Sequence, residues 1–361
     1  MKKKIKLFDP HVGKNEEKEI VSVLKSGFWA SGAGTGKVLE FETNFKKYAN
    51  SNNCVTVNSG TSALDLALSL FDIKNKEVIL PSLSFVSTAH SIVYNGGIPI
   101  FVDVDPNTLC IDPEQIKKHI TKKTKVVLPV HFGGLPVNLK EINKICKERK
   151  ITLVEDAAHA AGAKYRGKQI GSHGSAVCFS FHPVKNLAMP NGGAITLNGK
   201  DSKKHGNVLK IKRWCGITDR KLYDYDVSDL GTNCYLNEFS AAIGLQQLKK
   251  LDNLNSKRTK IAKEYCKKIN LENKMPIDEG CSYHLYWVKV KKRANFMKKM
   301  HSFGIETGIH YKPIHHMSFY KNSFRLPNTE EISKEIVSIP MHPNITKDEV
   351  SYIIESINKI I

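Results

Sequence analysis

Several features are missing from this 361-residue chain, and each absence removes a class of function. Charged residues interrupt every hydrophobic stretch, so no run approaches the roughly 20 apolar residues that a membrane-spanning helix needs. The basic start at Lys2 to Lys4 is followed by Lys6, Asp9, Pro10 and His11 before any long apolar segment, so no export leader is expected. No membrane partner is expected. The eight cysteines, Cys54, Cys110, Cys146, Cys178, Cys215, Cys234, Cys266 and Cys281, include no close pair of the zinc or thiol-redox kind, which fits a reducing, cytoplasmic setting. A formal charge of +20 comes without a long basic block or basic-aromatic repeat. Nucleic-acid binding is therefore not expected, and the lysines read as a solvated face that also suits an anionic small substrate. Internal repeats and low-complexity linkers are absent too.

Two apparent motifs fail. Gly32-Ala33-Gly34-Thr35-Gly36-Lys37 has Ser31 and Val38 where a phosphate-binding loop needs Gly and Ser or Thr, and Lys37 stands where the third glycine of a dinucleotide fingerprint belongs. A flexible loop is the expectation there. His310, His315 and His316 lack a helical HExxH arrangement and nearby acidic ligands, so no metal is expected.

What is present is enough apolar sequence, 41%, to bury a large core. Between residues 50 and 200, short β-branched runs alternate with helical stretches, the pattern of βαβ units and a largely parallel sheet. The expected strands are Val55–Val57, Val78–Leu80, Ile98–Val104, Lys125–His131, Ile151–Glu155, Ala176–Phe181 and Ala194–Leu197. Helical spacing through Phe239, Ile243, Leu245, Leu248 and Leu251 predicts a long helix reaching Ile269. A second α/β segment follows, with a strand at Tyr283–Val290 and a last helix at Lys347–Ile357. The expected organisation is a large domain over residues 1–250 and a smaller one over residues 251–361.

Ligands of open α/β sheets collect beyond the carboxyl ends of the strands, and three such ends carry chemistry. Asn58-Ser59-Gly60-Thr61-Ser62 precedes a helix expected at Leu64–Leu70, where free amides and the hydroxyls of Thr61 and Ser62 suit a phosphate; a plain helix cap uses the same residues. Asp156 ends an apolar run, facing the crevice, where a carboxylate can hold a protonated ring nitrogen and so create an electron sink. A cap or a metal carboxylate is the alternative. Ser180-Phe181-His182-Pro183-Val184-Lys185 puts a lysine on a constrained turn suited to a Schiff base, with Ser180 as a further phosphate contact. An isolated lysine is usually a surface charge; the order of the three elements gives this one its weight.

In that order the chain resembles the nucleotide-sugar aminotransferases of the DegT family, within the fold-type I pyridoxal-phosphate enzymes. Their SGT-x-AL, EDxA[HQ], SFxxxK and GG signatures stand here as Ser59–Leu64, Glu155–His159, Ser180–Lys185 and Gly192–Gly193. Further likenesses run from Ser26-Gly27-Phe28 through Pro81-Ser82-Leu83-Ser84-Phe85 to His310-Tyr311-Lys312-Pro313-Ile314-His315. The resemblance implies a mostly parallel central sheet flanked by helices, with a smaller C-terminal α/β domain.

It also implies pyridoxal 5'-phosphate as cofactor. Lys185 would form the Schiff base, Asp156 would bind the pyridine nitrogen, Phe85 would stack on the ring, and His159 would lie beside the ring hydroxyl. Gly60, Thr61, Ser62 and Ser180 would take the phosphate. Asn233 matches a residue that reaches the phosphate from the partner subunit, implying a homodimer with shared active sites. The implied reaction moves an amino group from glutamate, leaving 2-oxoglutarate, onto a keto sugar linked to a nucleoside diphosphate. A 4-keto-6-deoxy sugar is preferred, with a 3-keto sugar as the alternative. Dehydratases of this family replace the lysine with histidine, so Lys185 argues against them, and the complete Lys-Asp-Ser set argues against a purely regulatory relative. Two departures bear on the substrate: Tyr235 stands where the family often has Arg, and Asn191 where it has an acid before the Gly pair.

Overall fold

The computed structural model describes residues 4–221, 223–321 and 325–361. Seven strands build the central sheet: β1 (Asn53–Val57), β2 (Glu77–Pro81), β3 (Ile98–Val102), β4 (Thr124–Val127), β5 (Thr152–Asp156), β8 (Ala176–Ser180) and β9 (Gly193–Leu197). Between β5 and β8 lies a small hairpin of β6 (Lys164–Tyr165) and β7 (Lys168–Gln169), and after β9 an outer hairpin of β10 (Ile217–Lys221) and β11 (Asp224–Val227). β12 (Tyr286–Lys289) and β13 (Ile336–Ile339) pair in the C-terminal lobe. The helices are α1 (Lys14–Ser26), α2 (Gly36–Ala49), α3 (Gly60–Leu68), α4 (Ser87–Tyr94), α5 (Pro113–His119), α6 (Leu139–Arg149), α7 (Ser202–Lys212), α8 (Glu238–Lys268), α9 (Arg293–Ser302), α10 (Pro327–Glu335) and α11 (Lys347–Ile360).

The sheet order is β1-β9-β8-β5-β4-β2-β3, with only β9 antiparallel to its neighbours. The expected mostly parallel sheet is therefore present. Its strands are apolar on both faces, as a sheet covered by helices on each side requires. Val78 and Leu80 feed one buried cluster while Ile79 feeds the other; Val126 and Val127 divide in the same way. Because β1, β5 and β8 run in one direction and β9 in the other, the carboxyl ends of the first three meet the start of β9 along one edge. Ser59 and Gly192 bridge there.

Several boundaries differ from expectation, for local reasons. The strand expected to run to Val104 stops at Val102, because the Asp103 carboxylate accepts from its own neighbour Val104 N and from Thr329 N. The strand expected over Lys125–His131 stops at Val127, and Pro129 just beyond it has no N–H to continue a ladder. The helix expected at Leu64 begins at Gly60, since Ser59 Oγ accepts from Ser62 N at 3.1 Å and caps it. The strand expected over Tyr283–Val290 is confined to Tyr286–Lys289, and the last helix continues to Ile360.

The segment expected as a flexible loop over residues 32–37 is also corrected. Gly36 and Lys37 open α2, and the Glu238 carboxylate accepts from Lys37 N at 2.6 Å and from Val38 N at 3.4 Å. Glu238 itself starts α8, whose cap is Asn237, accepting from Ser240 N at 2.8 Å. This 31-residue helix carries the expected division at residue 250 within it.

Candidate active site

The edge where these strand ends meet opens into a cavity of about 460 Å³, lined among others by Gly60, Thr61, Phe85, Asp156, His159, Ser180 and Lys185. Lys185 sits at the tip of the connection between β8 and β9. Phe181 N donates to Gly192 O at 2.8 Å and Met189 N to Phe181 O at 2.7 Å, closing the connection at its base. Lys185 N donates to His182 O at 2.8 Å, making the turn that presents the side chain. The next residue anchors it: Asn186 Nδ2 donates to Asn255 Oδ1 on α8 and to Ser282 O, each at 2.8 Å. Gly244 allows α8 to approach, because a Cβ there would stand 2.1 Å from Met189 Cε.

Asp156 ends β5 with its carboxylate buried and doubly held: Oδ1 accepts from Ala158 N at 3.0 Å and Oδ2 from Thr88 Oγ1 at 2.9 Å. Its neighbour Glu155 faces the other way, accepting from His131 Nε2 at 2.9 Å and from Gly174 N. That fully buried brace explains why an acid precedes the functional one. Burial pushes the Asp156 carboxyl above its ordinary range, opposed by Ala158 N, the Thr88 hydroxyl and the Lys185 charge. Burial also lowers the Lys185 ammonium to about 8, and the Asp156 charge only partly restores it. The result is a lysine that gives up its proton far more readily than an ordinary one, suited to nucleophilic and proton-transfer work.

His159 is buried, and its ring state follows from its partners. Nδ1 accepts from Gly133 N at 3.2 Å, so Nε2 carries the proton and donates to the Tyr311 hydroxyl at 3.1 Å. Burial first, then the charges of Lys185 and His310, hold its pKa well below the ordinary value, so the ring is neutral.

Phe85 lies at the cavity mouth, 57% exposed, with its ring 6.1 Å from that of Tyr311. Gly60 is required by space: a Cβ there would stand 2.6 Å from Ser180 Cβ. Thr61 follows it in the first turn of α3, where the leading amides have no intrahelical acceptor.

Two expected residues are not brought to the cavity in the single chain. The Ser62 hydroxyl turns to Asn58 Oδ1 at 2.8 Å and to Ser59 Oγ at 3.0 Å instead. Asn233 is exposed, in a bridge with Trp214. Conversely, Phe8, His182, His310 and Tyr311 line the cavity with no site role expected of them. The likeness of the segment from His310 to His315 was the only signal for the last two. His310 Nδ1 lies 2.9 Å from Ser338 Oγ, and burial together with the Lys185 charge lowers it to about 4.

The histidine cluster is redistributed as well. His315 and His316 meet Glu330, with ligand atoms of all three within 4.8 Å of one another, which corrects the expectation that no acidic group lies nearby. His315 Nδ1 lies 2.6 Å from Ser82 Oγ, tying this segment to the loop that carries Ser84 and Phe85.

The residues fit pyridoxal phosphate: a reactive amine, a carboxylate facing the same cavity, a neutral histidine, and a helix start cleared by Gly60. A model of the DegT/DnrJ/EryC1/StrS aminotransferase family matches residues 10–358. The chain is 33% identical to the spore coat polysaccharide biosynthesis protein SpsC of Bacillus subtilis, over 98% of this chain and 96% of that protein. Among solved structures, it is similar to the Helicobacter pylori aminotransferase PseC, involved in pseudoaminic acid biosynthesis, at 27% identity and a TM-score of 0.93, covering 99% of each chain. Spr1654 from Streptococcus pneumoniae, in its pyridoxal-phosphate form, matches at 26% identity and a TM-score of 0.93, over 99% of this chain and 98% of that one.

Proposed function

Because the chain belongs to the DegT/DnrJ/EryC1/StrS aminotransferase family, we propose that it transfers the amino group of glutamate to a keto sugar carried on a nucleoside diphosphate, with a 4-keto-6-deoxy sugar preferred. Sugar aminotransferase activity with pyridoxal phosphate is the family's chemistry. The observation that carries the reading to these residues is the convergence of Lys185, Asp156 and His159 on one cavity beside the start of α3.

Lys185 would hold the cofactor and, once released from it, would take and return the proton at the substrate carbon. Asp156 would hold the pyridine nitrogen, and Gly60, Thr61 and Ser180 would hold the phosphate, with Ser62 joining them if its hydroxyl left Asn58. Phe85 would cover one ring face, and His159 would lie by the ring hydroxyl. When bound, the cofactor supplies an electron sink for the carbon that gains or loses nitrogen. The formal charge of +20 favours capture of a diphosphate-bearing substrate.

The same reading makes the protein a homodimer in which Asn233 serves the partner's phosphate site. In support, the β10–β11 hairpin and the loop after it expose Tyr223 at 99% and Leu230 at 89%, close in sequence to Asn233. Large apolar side chains left in water to that extent suit an interface. No helix among the described residues is long and apolar enough to cross a membrane, and all eight cysteines are free, as suits a cytoplasmic enzyme.

The test is incubation with glutamate and a panel of nucleotide 4-keto and 3-keto sugars, with amino-sugar product and 2-oxoglutarate measured together. Amination of a 4-keto-6-deoxy member supports the reading. Amination of a 3-keto member alone selects the alternative, and amination only of free keto acids rejects the sugar assignment.

A further inference from the structure

Beside the Asp156 carboxylate stands a chain of two hydroxyls on buried residues. Thr88 Oγ1 lies 2.9 Å from Asp156 Oδ2, and Ser84 Oγ lies 2.8 Å from Thr88 Oγ1. Thr88 has no exposed surface and Ser84 only 2%.

The direction of this chain follows from proton counting. An ionised carboxylate only accepts, so the single Thr88 hydroxyl hydrogen goes to Oδ2, and Thr88 Oγ1 must then receive the hydrogen of Ser84. With Ala158 N at Oδ1, each carboxylate oxygen has one fixed donor, and the remaining lone pairs are left for the cavity.

We propose that Thr88, with Ser84 behind it, is a positioning residue that holds the Asp156 carboxylate in place for the pyridine nitrogen of the cofactor. The inference rests on the role of Asp156 given above. The geometry also joins two functions in one short segment. Ser84 and Thr88 flank Phe85, and Thr88 N donates to Phe85 O at 3.1 Å, so the residue over the ring face and the residues behind the carboxylate share one turn.

Removing the Thr88 hydroxyl leaves Oδ2 without its donor on the side away from the cavity, and a buried carboxylate that loses a hydrogen bond holds a proton more tightly. The proton shared with the ring nitrogen then shifts toward the carboxylate. The nitrogen becomes less cationic and the electron sink weaker.

The test uses the full chain reconstituted with cofactor labelled with ¹⁵N in the ring, comparing the parent with T88V, T88S and S84A. The parent is expected to show a protonated ring nitrogen. T88V, which keeps the shape, should move the signal toward neutral pyridine and lower kcat by roughly tenfold, the scale of one hydrogen bond to a charged group. T88S should restore both, and S84A should shift the signal in the same direction by less, which keeps the test decisive should T88V fold poorly. A parent-like ring signal in both T88V and S84A would overturn the proposal. A parent ring nitrogen that is already neutral, and unchanged in D156A, would remove the Asp156 role and the Thr88 role with it.

Discussion

Tyr311 places its hydroxyl 3.1 Å from Nε2 of His159, so the segment leaving the C-terminal lobe closes onto the residue that lies three positions after Asp156. The Gly133 amide fixes His159 with its proton on Nε2, making Tyr311 the acceptor. Tyr311→Phe should therefore keep the fold, because the ring still meets Phe85 and Phe132, while lowering kcat about fivefold, the scale of one neutral hydrogen bond. Steady-state kinetics with a circular dichroism control checks this; unchanged kcat would show that the His159 ring needs no such partner.

Lys185 gives a pH dependence whose sign is fixed by burial. Loss of hydration favours the neutral amine, so the folded-state value falls to about 8 from 10.5, while the Asp156 charge acts in the opposite sense. The rate of cofactor attachment to apoprotein should rise with pH through a midpoint near 8 and level off above it. Asp156→Asn should move that midpoint lower still. A midpoint near the ordinary lysine value, or an upward move in the variant, would contradict the assigned environment.

Gly60→Ala tests the cradle at the start of α3. The added carbon would stand 2.6 Å from Ser180 Cβ and 3.2 Å from Ser180 Cα, so the helix start or the end of β8 must shift. Cofactor affinity should weaken by at least tenfold, about 1.4 kcal/mol. The double variant with Ser180→Gly should recover part of the lost space but not the hydroxyl contact. Equilibrium binding followed by cofactor absorbance reads both, and an unaltered Kd in Gly60→Ala would show that the phosphate sits elsewhere.

The sheet is legible in the sequence because its strands are local apolar runs, and the candidate site positions are legible from the turns that follow those runs and from their order along the chain. Asp156 and the Ser59–Thr61 turn stand at the ends of short apolar runs that read as strands, and Lys185 follows β8 in the next turn, where the order of the three elements gives it its weight. Their supports are not local: Thr88 meets Asp156 across 68 positions and Tyr311 meets His159 across 152. No periodicity in either segment announces such a pairing. The misplaced start of α3 has a related cause. Gly60 and its polar neighbours have the composition of a turn, and only the proximity of Ser180 explains why glycine stands in a helix. Glu330 likewise lies too far along the chain from His315 and His316 for spacing to join them.

Mixing two defective chains tests the shared-site dimer. Lys185→Ala removes the reacting amine, and Asn233→Asp places a carboxylate where it would repel a phosphate. If Asn233 serves the partner's site, a mixed dimer holds both lesions in one site and neither in the other. Part of the activity should return on mixing. No recovery despite demonstrated subunit exchange, or a fully active monomer by light scattering, would leave Asn233 an ordinary loop residue.

The most direct measurement of the central claim is borohydride trapping of the cofactor followed by peptide mapping, with and without prior glutamate. The account predicts that reduction fixes the cofactor to Lys185 alone, that added glutamate abolishes the labelling while releasing 2-oxoglutarate in equal amount, and that Lys185→Ala takes no label. Labelling of another lysine, or label on Lys185 that glutamate leaves untouched, would contradict it.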